Sequence, residues 1–402
     1  MRSRKGRVHS PVRHGRQRTP TARGLVFRFI GITVAVGITS TLAVVGYAVT
    51  SISSTFHEAA VDIGGESPPP PPPFLGAIEG GFNLLIVGSD NDEDQGDEYG
   101  ERDAVLNDVN ILVHVAADHR NAVVVSLPRD MMMPQPECDA SDAVEAQPLN
   151  AAWARGGENG LGCVVAAVRS LTGLDIPYAM ETSFNGVIAM SNAVGGVDVC
   201  VTDVTQDDYT GLYLEPGHHV LVGRDALAFL RTRHGVGDGS DLTRIGSQQQ
   251  YLASLLRTIK STSTLSDPVK VYGLAQAVAQ NITPSTSLRG ADTLISLALA
   301  LKDIDLSRVV FVSYPVTAWV DDPNRVQPNE ELAAQLVERI ASDQAIALDA
   351  GAITSSSTVG DTADPASPAA PAAPPASSSP DVIEGLKGQT AAEQTCANPF
   401  SG

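Results

Sequence analysis

Between Phe29 and Ile52 the chain runs 24 residues without a charged side chain, and this run constrains how everything else can be arranged. As a helix rising ~1.5 Å per residue it is long enough to span the ~30 Å hydrocarbon core of a bilayer. The flank before it is strongly basic: residues 1–28 hold nine of the 27 lysines and arginines, and no acid occurs before Glu58. A cleaved signal peptide has a shorter apolar stretch, roughly 7–15 residues, and a small-x-small site. This run is longer and shows no such site. Basic flanks stay in the cytoplasm, which predicts a cytoplasmic tail (1–28), one transmembrane helix (29–52) and an external remainder. Within 53–80, the run Pro68–Pro73 is a stiff polyproline II spacer that would hold the following domain off the membrane.

Beyond residue 28 the chain has 18 basic against 46 acidic residues, a net charge of −28. That balance argues against nucleic acid as a partner, and the basic terminus suits orientation and anionic lipid. All four cysteines (Cys138, Cys163, Cys200 and Cys396) follow the apolar run. In an oxidising exterior they imply two disulfides with three possible pairings; Cys138 with Cys163 is the most local and the preferred one. Their spacing fits no zinc pattern.

From Gly81 onward, strand and helix patterns alternate, which predicts an α/β domain over 81–345. Short apolar runs at 82–88, 109–117, 122–127 and 309–313 are expected strands. Residues 161–171, 183–193, 224–230, 269–279 and 330–340 are expected helices. The segment 346–402 is rich in Ala, Pro and Ser and is expected to be largely disordered, with Cys396 hinting that its end is tied back.

Three strands carry a charged residue at one edge: Asp90 after the first, Asp108 before the second, Arg129 after the third. Ligands collect at strand ends in helix-covered sheets, so these form a candidate site, although a buried salt-bridge network would use the same residues. A second stretch, Arg231 to Gln248, is a glycine-rich loop opening into a helix with Ser240 or Asp241 as N-cap. Asp241, Arg244 and Gln248 share a stripe with Ile245, Leu252, Leu255, Leu256 and Ile259. The face that turns inward is thus charged at its start. Unpaired burial of such groups costs several kcal/mol, so they form a network or line a polar site; Arg231 and Arg233 just upstream point to an anion.

These motifs occur in a recognisable order: Gly88-Ser-Asp90, Asp108 before a strand, Ser126-Leu-Pro-Arg-Asp130, Asn150-Ala-Ala, Gly195-Gly-Val-Asp198, and Arg231-x-Arg233 followed by Asp241-x-x-Arg244-Ile-x-x-Gln248-Gln249. The string resembles that of the LytR–CpsA–Psr family over about 80–345. The resemblance implies an external domain with a central mixed β-sheet flanked by helices. It also implies a phosphotransferase that moves a glycopolymer from a polyprenyl-pyrophosphate carrier to peptidoglycan or another cell-wall acceptor. Arg129, Arg231, Arg233, Arg244 and Gln248 would bind the pyrophosphate, Asp241 would orient the arginines, and Asp90 and Asp108 would hold Mg²⁺. Asp108, Arg129, Arg231 and Arg233 would carry catalysis. A guanidinium fork matches phosphate oxygens, and Mg²⁺ takes one or two carboxylates plus substrate phosphates. The sequence departs from the family in one place. Leu106-Asn-Asp108-Val stands where the family has Arg-Ser-Asp-Thr, so one arginine is absent. Two other readings remain: a pyrophosphatase on the same carriers, and a non-catalytic protein that binds lipid or cell wall.

Overall fold

The computed structural model describes residues 54, 59–65, 76–90, 105–349, 351–354, 357–359 and 382–400. The expected cytoplasmic tail, transmembrane helix, Pro68–Pro73 spacer and most of the Ala/Pro-rich segment lie outside these residues. Among the described residues, no helix is long and apolar enough to cross a membrane.

The chain enters through three adjacent antiparallel strands, β1 (Phe82–Ser89), β2 (Asn107–Val115) and β3 (Ala122–Leu127). Two hairpin strands follow, β4 (Met132–Gln135) and β5 (Val144–Pro148), then α1 (Gly160–Thr172) and β6 (Tyr178–Thr182). Next come α2 (Phe184–Val194), β7 (Val197–Val201), the short pair β8 (Thr205–Asp207) and β9 (Leu212–Leu214), and β10 (Gly217–Leu221). The helices α3 (Gly223–Arg231), α4 (Asp241–Lys260) and α5 (Pro268–Asn281) lead to β11 (Ile282–Pro284) and α6 (Ala291–Lys302). The final elements are β12 (Val309–Ser313), β13 (Val316–Ala318), β14 (Val326–Pro328), α7 (Glu330–Ala341), β15 (Ser357–Val359), β16 (Gly388–Thr390) and β17 (Thr395–Ala397).

Seven strands form the main sheet in the order β11-β6-β1-β2-β3-β12-β16. It is mixed: β1 runs parallel to β6 and β3 parallel to β12, while the other pairs are antiparallel. Side-chain alternation serves both faces. Leu85, Val87, Val123, Val125, Val310 and Val312 meet α1 and α7 on one side. Phe82, Leu84, Val124, Val309 and Phe311 meet α4 and α6 on the other. Towards the middle of that second face, Ile86, Val109, Val113 and Met180 are only half-buried, as are Leu252, Leu256 and Leu294 from the covering helices. A four-stranded sheet, β10-β7-β17-β15, packs with α3 against the far side of α4.

Helix α4 is therefore sandwiched between two sheets, which changes the expected single stripe. Leu252 and Leu256 join the main-sheet core, whereas Leu255 and Ile259 join the core of the second sheet. A helix covered on two sides must also place polar groups inside. Gln248, Gln249 and Gln250 are each at most 6% exposed and their amides donate to the Leu230 carbonyl, to the Ser126 and Ser313 hydroxyls, and to the Cys200 carbonyl. These bonds stitch α4 to α3, to the ends of β3 and β12, and to β7. The stitching gives each buried amide nitrogen a partner, which offsets the cost of burying it.

Both disulfides are formed: Cys138–Cys163, as preferred, and Cys200–Cys396. The second fastens a C-terminal segment that the composition of 346–402 does not announce. Its described parts are built into the domain: β16 adds an edge to the main sheet beside β12, and β17 sits inside the second sheet between β7 and β15. Gly388 permits the close approach, because a Cβ there would run into the Phe311 carbonyl.

Candidate functional site

The functional residues gather where β1, β3 and β12 end and β2 begins, beside the first turn of α4. Antiparallel pairing places Ser89 opposite Asn107, so Asp90 and Asp108 leave neighbouring strands at the same edge. Asp90 is fully buried, and one carboxylate oxygen accepts the Leu106 N–H at 2.8 Å. The backbone of residue 106, where the family arginine is missing, thus clasps this aspartate.

Arg129 follows β3 and is the hub. Its Nη1 lies 2.5 Å from Asp108, its Nε 3.6 Å from Asp130 and 3.8 Å from Asp241. Its backbone N–H also donates to Asp241 at 3.3 Å. Ser240 caps α4 by accepting the Thr243 N–H, which puts Asp241 in the first turn, where a carboxylate suits the helix dipole. From there Asp241 accepts Arg244 at 2.6 Å and Arg233 at 3.5 Å. Arg244 is 5% exposed and also donates to the Asp108 carbonyl at 3.0 Å. A narrow cavity of about 10 Å³ lies among these groups, with Asp108, Arg129, Asp241, Arg244 and Gln248 in its lining.

Of the residues expected at the site, Asp108, Arg129, Arg233, Asp241 and Arg244 are joined directly. Gln248 lines the cavity but spends its amide N–H on Leu230. Arg231 is placed differently, with its guanidinium over the Phe184 ring, 4.6 Å from the centroid. Sequence reasoning missed three participants. Asp130 pairs with Arg233 at 3.8 Å and with Arg325, from the β13–β14 hairpin, at 3.2 Å. Asp207 is 2% exposed and one of its oxygens accepts from the Thr232 hydroxyl and the Arg233 and His234 N–H groups, fixing the turn that presents Arg233. Nothing local marks Arg325 or Asp207, since each reaches the site through a hairpin.

The charge balance is uneven. For Arg129, burial opposes the charge, but Asp108, Asp130 and Asp241 more than offset it and raise its pKa. Arg233 is held below its ordinary value, first by burial and then by Arg244 and Arg129. Asp241 and Asp130 pair with Arg233 and act in the opposite direction. Asp207 titrates low: burial opposes its charge, but the Thr232 hydroxyl and the Arg233 and Tyr209 N–H groups outweigh that. A lowered carboxyl pKa contributes stability above the ordinary 3.8, and loses it as pH falls through the lower folded value. Asp207→Asn is accordingly expected to cost about 1–3 kcal/mol at neutral pH. In denaturant melts the gap to the native protein should close below pH ~4; a constant gap down to acid pH would contradict the assignment.

Of the two carboxylates expected to hold a divalent ion, Asp108 lines the cavity, whereas Asp90 is fully buried and does not. Among the described residues no three His, Cys, Asp or Glu groups converge into a cage. Two carboxylates completed by phosphate oxygens and water are the donor set that Mg²⁺ accepts.

The LytR_cpsA_psr family model matches residues 48–342. Cell wall biosynthesis protein LcpA of Corynebacterium glutamicum is 28% identical over 270 residues, 60% of this chain and 51% of that relative. The chain thus spans about half the length of this relative. A polyisoprenyl-teichoic acid–peptidoglycan teichoic acid transferase, TagT of Bacillus subtilis, is 24% identical over 276 residues, 67% of this chain and 80% of TagT. Among solved structures, a LytR-Csp2A-Psr enzyme from Actinomyces oris superposes with a TM-score of 0.53 at 25% identity, covering 70% of this chain and 94% of that one.

Proposed function

The chain belongs to the LytR–CpsA–Psr family, and on that premise we propose that it transfers a glycopolymer from a polyprenyl-pyrophosphate carrier to peptidoglycan or another cell-wall acceptor. The observation that carries this reading is the convergence of Arg129, Arg233 and Arg244 on the single carboxylate of Asp241. Such forks suit the oxygens of a pyrophosphate. The half-buried apolar strip of Ile86, Val109, Val113 and Met180, facing Leu252 and Leu256, supports a seat for the prenyl chain beside them. Residues 29–52 would anchor the chain, with the N-terminus cytoplasmic and the catalytic domain outside.

In this reaction an acceptor hydroxyl oxygen bonds to the phosphorus nearest the glycan, and the bond from that phosphorus to the bridging oxygen breaks. Prenyl monophosphate leaves with the bond's electrons, the hydroxyl proton passes to solvent, and the glycan is left on a phosphodiester. Arg129, Arg233 and Arg244 neutralise the charge that grows on the phosphoryl oxygens, which is the main demand of phosphoryl transfer. Arg231 would join them by leaving Phe184, and Gln248 holds the start of α4 against α3. Asp90 and Asp108 would hold Mg²⁺, which supplies Lewis-acid neutralisation when bound. Asp108 is the carboxylate that would exchange its Arg129 partner for the metal, freeing that guanidinium for phosphate.

The test uses the full chain with a synthetic polyprenyl-pyrophosphate-linked glycan and peptidoglycan, in Mg²⁺ or in EDTA. Prenyl monophosphate release matched by glycan on peptidoglycan, and lost in EDTA, is the expected result. Release without attachment would point to a pyrophosphatase, and tight lipid binding with no release to a binding protein.

A further inference from the structure

A second and larger cavity lies across the first turn of α4 from the arginine cluster. It has a volume of about 440 Å³ and no role in the site described above. The two cavities divide α4 between them. Asp241, Arg244 and Gln248 face the arginine cavity, while Leu242 and Thr243 face the larger one, as the turn of a helix requires. They also share a wall. Tyr314 N–H donates to the Ser126 carbonyl, so the 313–316 segment lining the larger cavity runs beside the strand end that carries Arg129.

We propose that this cavity binds the acceptor carbohydrate, the peptidoglycan glycan strand whose hydroxyl receives the phosphoryl group. This rests on the transferase reading. The lining mixes apolar faces from Leu242, Val316 and Ile353 with the polar groups of Asp238, Ser240 and Lys387. A sugar ring presents the same mixture, apolar C–H faces edged by hydroxyls. A prenyl chain would set its hydrocarbon against the charges of Asp238 and Lys387, and a pyrophosphate would meet one lysine beside a carboxylate where the neighbouring cavity offers two arginines. The volume of about 440 Å³ falls in the lower part of the small-ligand range, ~300–1,000 Å³, and suits a short saccharide. Contiguity supplies the geometry: a hydroxyl entering past Ser240 reaches the residue next to Asp241, which holds the arginines.

The outer wall has a particular origin. Ile353 and Lys387 come from the C-terminal segment, beyond the 48–342 matched by the family model. This chain thus builds its acceptor pocket partly from residues that the family as a whole does not specify, and acceptor choice resides there.

The full-length protein is tested with peptidoglycan glycan fragments solubilised by a muramidase, comparing native chain, Leu242→Trp and Lys387→Ala. Leu242 is 36% exposed, so a larger side chain narrows the mouth without entering the core. Two quantities are read: the dissociation constant for the fragments, and prenyl monophosphate release into water without acceptor. Both variants are expected to weaken fragment binding ~10-fold, equivalent to about 1.4 kcal/mol, with water-driven release unchanged. No fragment binding to the native chain, equal binding by the variants, or a parallel fall in release would overturn the pocket. Weakened binding in a protein that releases no prenyl monophosphate even when peptidoglycan is supplied as acceptor would uphold the pocket and reject the transferase reading.

Discussion

Arg129→Ala is expected to lower transfer on the order of 10²–10³-fold, the usual loss when one preorganised charge donor is removed from the transition state. The residue's position sets the size. It touches Asp108, Asp130 and Asp241 at once, so its removal deletes a phosphate ligand and leaves three carboxylates near the place where phosphoryl charge develops. Arg129→Lys keeps the charge but loses the planar fork, and should fall between the two. Because the side chain is only 18% exposed, Arg129→Ala leaves its carboxylates unpaired and should also lower the melting point, whereas Arg129→Lys should melt close to the native protein. Initial rates of glycan attachment, alongside melts, provide the check. Native rates in Arg129→Ala would remove the residue from the site.

Replacing Cys200 and Cys396 together by alanine should have the largest effect on stability. The bridge closes a span of 196 residues, against 25 for Cys138–Cys163. Chain-entropy arguments give about 5 kcal/mol for the long loop and about 3.5 kcal/mol for the short one. The consequence also reaches the site. Just past Cys396, the Asn398 carbonyl accepts the Gly237 N–H, Phe400 N–H donates to the Gly235 carbonyl, and Pro399 bridges Val236. The last residues thus hold the loop between Arg233 and Asp241. Denaturant melts of the two double variants should rank the long bridge first, with transfer falling in parallel. A smaller loss than from the Cys138–Cys163 pair would refute this.

The elements with enough length to show a period were legible in the sequence. The apolar runs of β1, β3 and β12 and the helices α1, α2, α3, α4 and α7 fall within a few residues of where the pattern puts them. The hairpins β4–β5, β8–β9 and β13–β14 were not legible, because strands of three to five residues hold too few alternations to separate from loop. The α4 stripe misled for a different reason. A helical period shows that a face is apolar, but Leu252 and Leu255 look alike until two sheets claim them separately. At the site, Asp108, Arg129, Arg233 and Asp241 were visible as charges at element ends. Asp130 stood in plain view beside Arg129, yet its partners Arg233 and Arg325 are set by tertiary packing.

The placement of β16 and β17 has a consequence for the order of assembly. These strands follow the other described elements in the chain, yet one extends the main sheet and the other fills the interior of the second. Until they arrive, β7 and β12 each present an open edge, and such edges invite pairing with other chains. Contacts this distant in sequence also form slowly. A nascent domain would therefore wait, with both sheets unfinished, until its last twenty or so residues were available. Synthesis of residues 388–397, more than closure of β1–β3, would time the first competent molecule.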